Sequence, residues 1–205
     1  MPLTIDDAIK LQTKLASKVI KHDVINYDRI RYVCGVDVSY RNDKAFACAV
    51  VIDKNNFDLI DSISSITKIQ SPYIPGLFFL RESESIFSVL KGLRYDVLMV
   101  DGHGILHPRQ FGLACYIGMK VNKPTIGVAK NLLCGNVRKN GAVLLNGKIA
   151  GYAVKTNAKP VYVSIGHKIG LRTAVKLVKE VAKYRIPEPL RLADINSRKM
   201  AKHNV

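Results

Sequence analysis

Apolar residues near the start of the chain recur at every third or fourth place. Ile5, Ala8, Leu11, Leu15 and Ile20 predict an amphipathic helix from Thr4 to about Ile20, with Thr4 placed to cap it. The period then changes. Residues 32–40, 45–52 and 57–66 are strand-like runs, separated by turn-rich pieces at 41–44 and 53–56. Strands joined by such short turns form an antiparallel meander.

Regular structure breaks at Ser71-Pro72-Tyr73-Ile74-Pro75-Gly76. Beyond it the pattern predicts a helix at 77–90, a buried strand at 97–100 ending on Asp101, a helix at 110–120 and a strand at 125–128. Strand, helix, strand in this order requires parallel crossovers. Asn146-Gly147 marks a hairpin between 141–145 and 148–154. A short strand at 161–164 and a Lys-rich helix at 169–184 follow, with another helix expected around 191–194. No repeat or linker divides the chain. The expectation is one α/β domain over 1–205, with residues 1–30 as a helical extension packed on it. Its core would be an RNase H-like mixed sheet, an antiparallel meander continued by parallel strands, flanked by helices.

Charge adds the first functional constraint. The chain has 32 Lys and Arg against 16 Asp and Glu, a formal net charge of +16. Such an excess favours polyanionic partners and a salt-sensitive affinity. A basic but inert surface and ribosome association are the ordinary alternatives. At 48% hydrophobic residues the chain can bury a core. It has no apolar run of membrane-spanning length and no leader-like start, so no membrane partner is expected and the cytoplasm is the expected compartment. Cys34, Cys48, Cys115 and Cys134 show no C-x-x-C spacing, and a reduced state is expected.

Three acids stand in unusual surroundings. Asp37 interrupts the apolar strand Gly35-Val36-Asp37-Val38-Ser39-Tyr40. An acid in such a strand is costly to bury unless paired or bound to a cation; a strand-end Asp facing water is the alternative. Asp101 ends a parallel strand just before Gly102-His103-Gly104, where open α/β sheets place their ligands. Glu82 begins a helix whose apolar face would pack on the sheet, whereas Glu84 is expected to face solvent. Oxygen ligands of this kind suit Mg²⁺, with Mn²⁺ as substitute. Asp194 is a candidate fourth ligand, an exposed helical Asp being its alternative. Lys130 follows a strand and could stabilise charge on a phosphate. His103 and His107 flank Gly104 and could serve in proton transfer. Tyr73, held between Pro72 and Pro75 beside Ile74, suits stacking or wedging between bases.

Taken in order, these motifs resemble the endonuclease V family. The matching stretches are GVDVSY at 35–40, PYIPG at 72–76, FLRE at 79–82, DGHGILHPR at 101–109, GVAKNLLCG at 127–135, GHKIGL at 166–171 and PEPLRLAD at 187–194. The resemblance implies an RNase H-like, Mg²⁺-dependent endonuclease. It would recognise inosine and cut the second phosphodiester bond 3′ to it, leaving a 3′-hydroxyl and a 5′-phosphate and initiating DNA repair. It implies metal ligands at Asp37, Glu82 and Asp101, a position near the site for Asp194, supporting roles for Lys130 and His107, and a wedge role for Tyr73. Backbone near Gly102 and Gly104, with His103, would line the pocket for the flipped base. The chain departs from the family pattern at His103, where Gln is expected, at Ile165, where Pro is expected, and at Leu80 and Ser83. None of these removes an acid.

Three readings remain at this point: an inosine-directed endonuclease acting as a monomer, another RNase H-like nuclease, and a nucleic-acid binder without activity. DNA and RNA substrates both stay open. A requirement for Tyr73 separates the first reading from the second.

Overall fold

The early meander forms as its turn spacing requires. β1 (Tyr32–Arg41), β2 (Lys44–Asp53) and β3 (Leu59–Lys68) pair antiparallel. β1 also takes β4 (Val97–Asp101) in parallel, and β4 takes β5 (Thr125–Ala129) in parallel. The helices between them are α2 (Phe79–Leu90) and α3 (Leu113–Val121). The other strands are β6 (Asn136–Val137), β7 (Ala142–Leu145), β8 (Lys148–Val154) and β9 (Val161–His167). In this computed structural model, which describes residues 4–155 and 159–203, the sheet runs β3-β2-β1-β4-β5-β9-β8-β7-β6. This is the expected RNase H-like α/β arrangement, extended at one edge by the hairpin. Residues 1–3, where a leader would begin, 156–158 and 204–205 lie outside the described residues.

Helices cover both faces. α1 (Ile5–Ala16), α2 and α3 lie on one; α4 (Leu171–Glu180) and α5 (Glu188–His203) lie on the other. β2 shows why its sequence is nearly all apolar. Cys48, Val50 and Ile52 pack toward α4 and α5, while Ala47, Ala49 and Val51 pack toward α1 and α2. The same alternation orients the acids. Val33 and, on the neighbouring strand, Val97 and Met99 pack on the α5 side, so Asp37 and Asp101, an even number of residues further on, emerge on that side.

Several elements differ in extent from the pattern. α1 stops at Ala16 because the following backbone is needed elsewhere: Ile20 N–H donates to His167 Nδ1, and Lys168 N–H donates to Ile20 O. Its buried face is Ala8 and Gln12, whereas Ile5 is 52% exposed. α3 begins at Leu113 rather than 110, because Gln110 adopts a left-handed φ of 51°. The hairpin turn has φ of 51° at Asn146 and 75° at Gly147, as the Asn-Gly pair predicts. All four cysteines are free; Cys34, Cys48 and Cys115 are buried. No helix among the described residues is long and apolar enough to cross a membrane.

Candidate active site

The strand register brings the first two acids together. Val36 pairs with Val100 across the parallel β1–β4 ladder, so Asp37 and Asp101 follow side by side. α5 then closes over them. Its first turn lies so near β1 that a Cβ on Gly35 would come 2.3 Å from the Pro189 backbone. Only glycine permits that approach. One turn further along α5, Asp194 reaches the same cleft. Among the described residues, Asp37, Asp101 and Asp194 each offer a carboxylate oxygen, and these oxygens all lie within 4.8 Å of one another.

Lys130, the residue after β5, fills the space between them. Its Nζ lies 2.6 Å from Asp101 Oδ2 and 3.1 Å from Asp194 Oδ1. Arg198 Nη2 also lies 2.9 Å from Asp194 Oδ1. Two carboxylates about 4 Å apart near a protein surface repel by roughly 4 kcal/mol. Three together need a positive charge among them, and the ammonium occupies that place here. Burial alone would lower the Lys130 pKa; Asp101, Asp37 and Asp194 outweigh it and raise the pKa above its ordinary value. The Asp37 carboxyl is pushed up to about 7, first by burial and then by the charge of Asp101. The donor set, all carboxylate oxygens with an open side, fits a hard divalent cation.

Glu82 stands in the same cleft, which has a volume of about 220 Å³, but outside the group of three. It is 5% exposed, and burial pushes its carboxyl well above the usual range. Tyr40 OH donates to its Oε1 at 3.0 Å, and Arg81 lies 4.2 Å over the Tyr40 ring. Glu84 is exposed, as its phase on α2 predicts.

A second cavity, of about 340 Å³, adjoins the cleft, and Phe78, Asp101 and Lys130 border both. Tyr73 stands at its rim, 64% exposed, with its ring edge-on to Phe78 at 5.6 Å. Pro72 and Pro75 are exposed beside it, and the half-buried Ile74 packs against the core. Gly102 and His103 line the cavity wall. His103 Nε2 lies 3.0 Å from Asn131 O, and burial lowers its pKa.

Two sequence candidates sit differently from expectation. Gly104 is behind the wall: its N–H donates to Ser164 Oγ, its carbonyl accepts from Gly112, and a Cβ would meet Ile165 O at 1.9 Å. Its backbone groups are therefore already engaged. His107 is 3% exposed with both ring nitrogens occupied, Nε2 by Gly76 O at 3.1 Å and Nδ1 by Arg109 N–H at 3.2 Å. Burial, then Arg109, pushes its pKa down to about 4. It is a neutral, fixed ring.

Three supporting residues escaped the sequence reading. Ser197 Oγ lies 2.9 Å from Asp37 Oδ2 and 2.8 Å from Ser39 Oγ. Its place three residues after Asp194, on the same helix face, was the available signal. Tyr40, which holds Glu82, lies within the GVDVSY stretch, and a strand tyrosine carries no signal of its own in the sequence. Arg185 Nη2 donates to Lys130 O at 2.6 Å and to Pro160 O at 3.1 Å, pinning the backbone that carries Lys130.

Residues 13–195 match the family model described as Endonuclease V. An Endonuclease V of Thermofilum pendens is 43% identical, over 98% of this chain and 91% of its own length. The crystal structure of the Endonuclease V of Streptomyces avermitilis is similar at a TM-score of 0.87 and 33% identity, covering 98% of this chain and 94% of that one. So is a crystal structure of Ciona intestinalis Endonuclease V in complex with a 24mer DNA containing an inosine followed by a ribo-adenosine. Its TM-score is 0.87 at 30% identity, with 97% and 98% of the two chains covered.

Proposed function

The chain belongs to the endonuclease V family, and from that premise we propose that it is a metal-dependent endonuclease directed at inosine in nucleic acid. It hydrolyses the second phosphodiester bond on the 3′ side of the inosine and leaves a 3′-hydroxyl and a 5′-phosphate. In DNA this initiates repair of deaminated adenine. It acts in the cytoplasm as a monomer, through one catalytic domain.

The observation that carries this reading is the junction of two hollows at Asp101 and Lys130. An acidic cleft opens into a cavity rimmed by an exposed tyrosine. A flipped base and its 3′ phosphates would occupy these two spaces together. Asp37, Asp101 and Asp194, with Glu82 beside them, would hold Mg²⁺, for which Mn²⁺ would substitute. The bound ion supplies charge neutralisation at the phosphate and an acidified water.

The side chains divide the remaining work. Lys130 provides positive charge beside the phosphate. Ser197 and Ser39 orient the Asp37 carboxylate. Tyr40 holds Glu82 in place. Tyr73 parts the strands next to the lesion, flanked by Pro72, Ile74 and Pro75. Gly102 and His103 bound the base cavity. His107 acts through the Gly76 carbonyl, since its ring nitrogens are both engaged.

The inosine-containing DNA in the Ciona intestinalis complex supports the substrate assignment. Its ribo-adenosine favours a second substrate, RNA carrying inosine. Matched DNA and RNA strands with one inosine each, incubated with the protein and Mg²⁺, separate the two. Cleavage of the DNA supports the primary reading; cleavage of the RNA alone supports the second. Both strands left intact would overturn the function.

A further inference from the structure

The buried face of α1 carries a glutamine where the helix period calls for an apolar residue. Gln12 is 1% exposed. Burying an amide is unfavourable unless all of it is hydrogen-bonded, and this one is. Its Nε2 donates to Phe111 O at 2.8 Å and to Gly76 O at 3.0 Å, and its Oε1 accepts from Arg109 Nε at 2.6 Å. Arg109 Nη2 also donates to Gly76 O at 2.8 Å, and His107 Nε2 lies 3.1 Å from the same oxygen.

One loop carbonyl is thus met by three donors, from α1 and from the connection between β4 and α3. Satisfying a carbonyl takes one or two. The surplus fixes the position of Gly76. Gly76 has φ of 76°, a left-handed conformation in which a side chain would be strained, and a Cβ there would come 2.8 Å from Arg109 Nη2 and push against its contact with the Gly76 carbonyl. It closes the Pro72–Gly76 turn, and the next residue, Leu77, donates its N–H back to Ile74 O. The other foot of the turn is held by Arg81 Nη1, donating to Ser71 O at 3.0 Å. Tyr73 is the exposed aromatic between these two fixed feet.

We propose that Gln12 is a positioning residue for strand opening. With Arg109 and His107 it fixes the Gly76 carbonyl, so that Tyr73 meets a duplex at a set place beside the base cavity. This inference rests on the endonuclease reading above. Its particular consequence concerns the form of the substrate. A duplex must be parted by Tyr73, whereas a single strand needs no parting, so loosening the turn penalises the duplex selectively.

The test compares single-turnover cleavage of one inosine-containing strand, free and in duplex, by wild type, Gln12→Leu, Tyr73→Ala and the double variant. Gln12→Leu is expected to lower the duplex-to-single-strand rate ratio by about ten- to a hundredfold, the size of effect that misplaced groups produce. In the Tyr73→Ala background it should lower that ratio no further. Arg109→Lys, which keeps the charge but loses the forked contact, should lower the ratio in the same direction. It carries the test if Gln12→Leu does not fold. An unchanged ratio, or a further drop in the double variant, would overturn the proposal. A wild type that cleaves neither form would overturn the endonuclease reading instead.

Discussion

Without metal, the acid cluster is held together against its own repulsion, and Asp37→Asn should relieve part of it. The Asp37 carboxyl is pushed from 3.8 to about 7 by burial and then by Asp101. At about 1.36 kcal/mol for each tenfold change in proton affinity, this disfavours the ionised form by about 4 kcal/mol. The folded pKa lies above the unfolded one. Below about pH 4 both states are protonated and no penalty arises; it grows as pH rises and is complete above about pH 7. An asparagine keeps an acceptor for Ser197 Oγ and removes the charge. Allowing for its less favourable contact with Lys130, the gain at pH 8 is about 2–4 kcal/mol. At about 2–4 °C per kcal/mol for a chain of this size, Tm should rise by about 5–15 °C. Calorimetric melts in chelator at pH 8 and pH 4.5 measure it, with the difference shrinking to under about 1 kcal/mol at the lower pH. Added Mg²⁺ should stabilise the wild type more than the variant. A variant that melts at or below the wild type at pH 8, or one whose gain is as large at pH 4.5, would mean that the Asp37 charge does not strain the cluster.

Lys130→Met should act in the opposite sense. It removes the cation among the acids and should lower metal-free stability by about 1–2 kcal/mol, a loss that Mg²⁺ reverses in melting experiments. The net charge of +16 should give a steep salt dependence of binding to duplex DNA, with a slope of log K against log salt beyond about −3 by fluorescence anisotropy. Thiol titration of the native protein should label Cys134, which is half-buried, ahead of the other three, which should react only on unfolding. Cys34 and Cys115 are buried with their thiol pKa values raised by burial, and Cys48 is buried as well.

Asp37 was legible in the sequence because it breaks an apolar strand, where a buried charge is conspicuous, and Asp101 because it ends the apolar strand β4 just before a glycine. The meander and the parallel crossovers were legible for the same reason, through runs of Val, Ile and Ala closed by turn residues. Glu82 and Glu84 were separated correctly by helix phase. Asp194 was harder. Its helix is polar over much of its length, and what makes it part of the site is the close approach of α5 to β1 over Gly35. That contact is between residues more than 150 positions apart, and periodicity does not encode it. Gln12 was hidden because a helix pattern treats a polar residue as solvent-facing. Gly104 packs behind the cavity wall, a placement its sequence neighbourhood does not reveal, because a glycine beside a candidate site serves packing as readily as ligand approach. The end of α1 at Ala16 depended on a hydrogen bond to His167, again a distant partner.

Mapping the cleavage of an end-labelled duplex that carries one inosine, against the same duplex carrying adenine, shows whether the three carboxylates beside the tyrosine-rimmed cavity direct metal-dependent cutting next to inosine. With Mg²⁺ the inosine strand should give one product, cut at the second phosphodiester bond on the 3′ side and ending in a 3′-hydroxyl. Chelator or Asp101→Asn should suppress it, and the adenine duplex should stay whole. Equal cutting of both duplexes, or cutting that persists in chelator, would contradict the account.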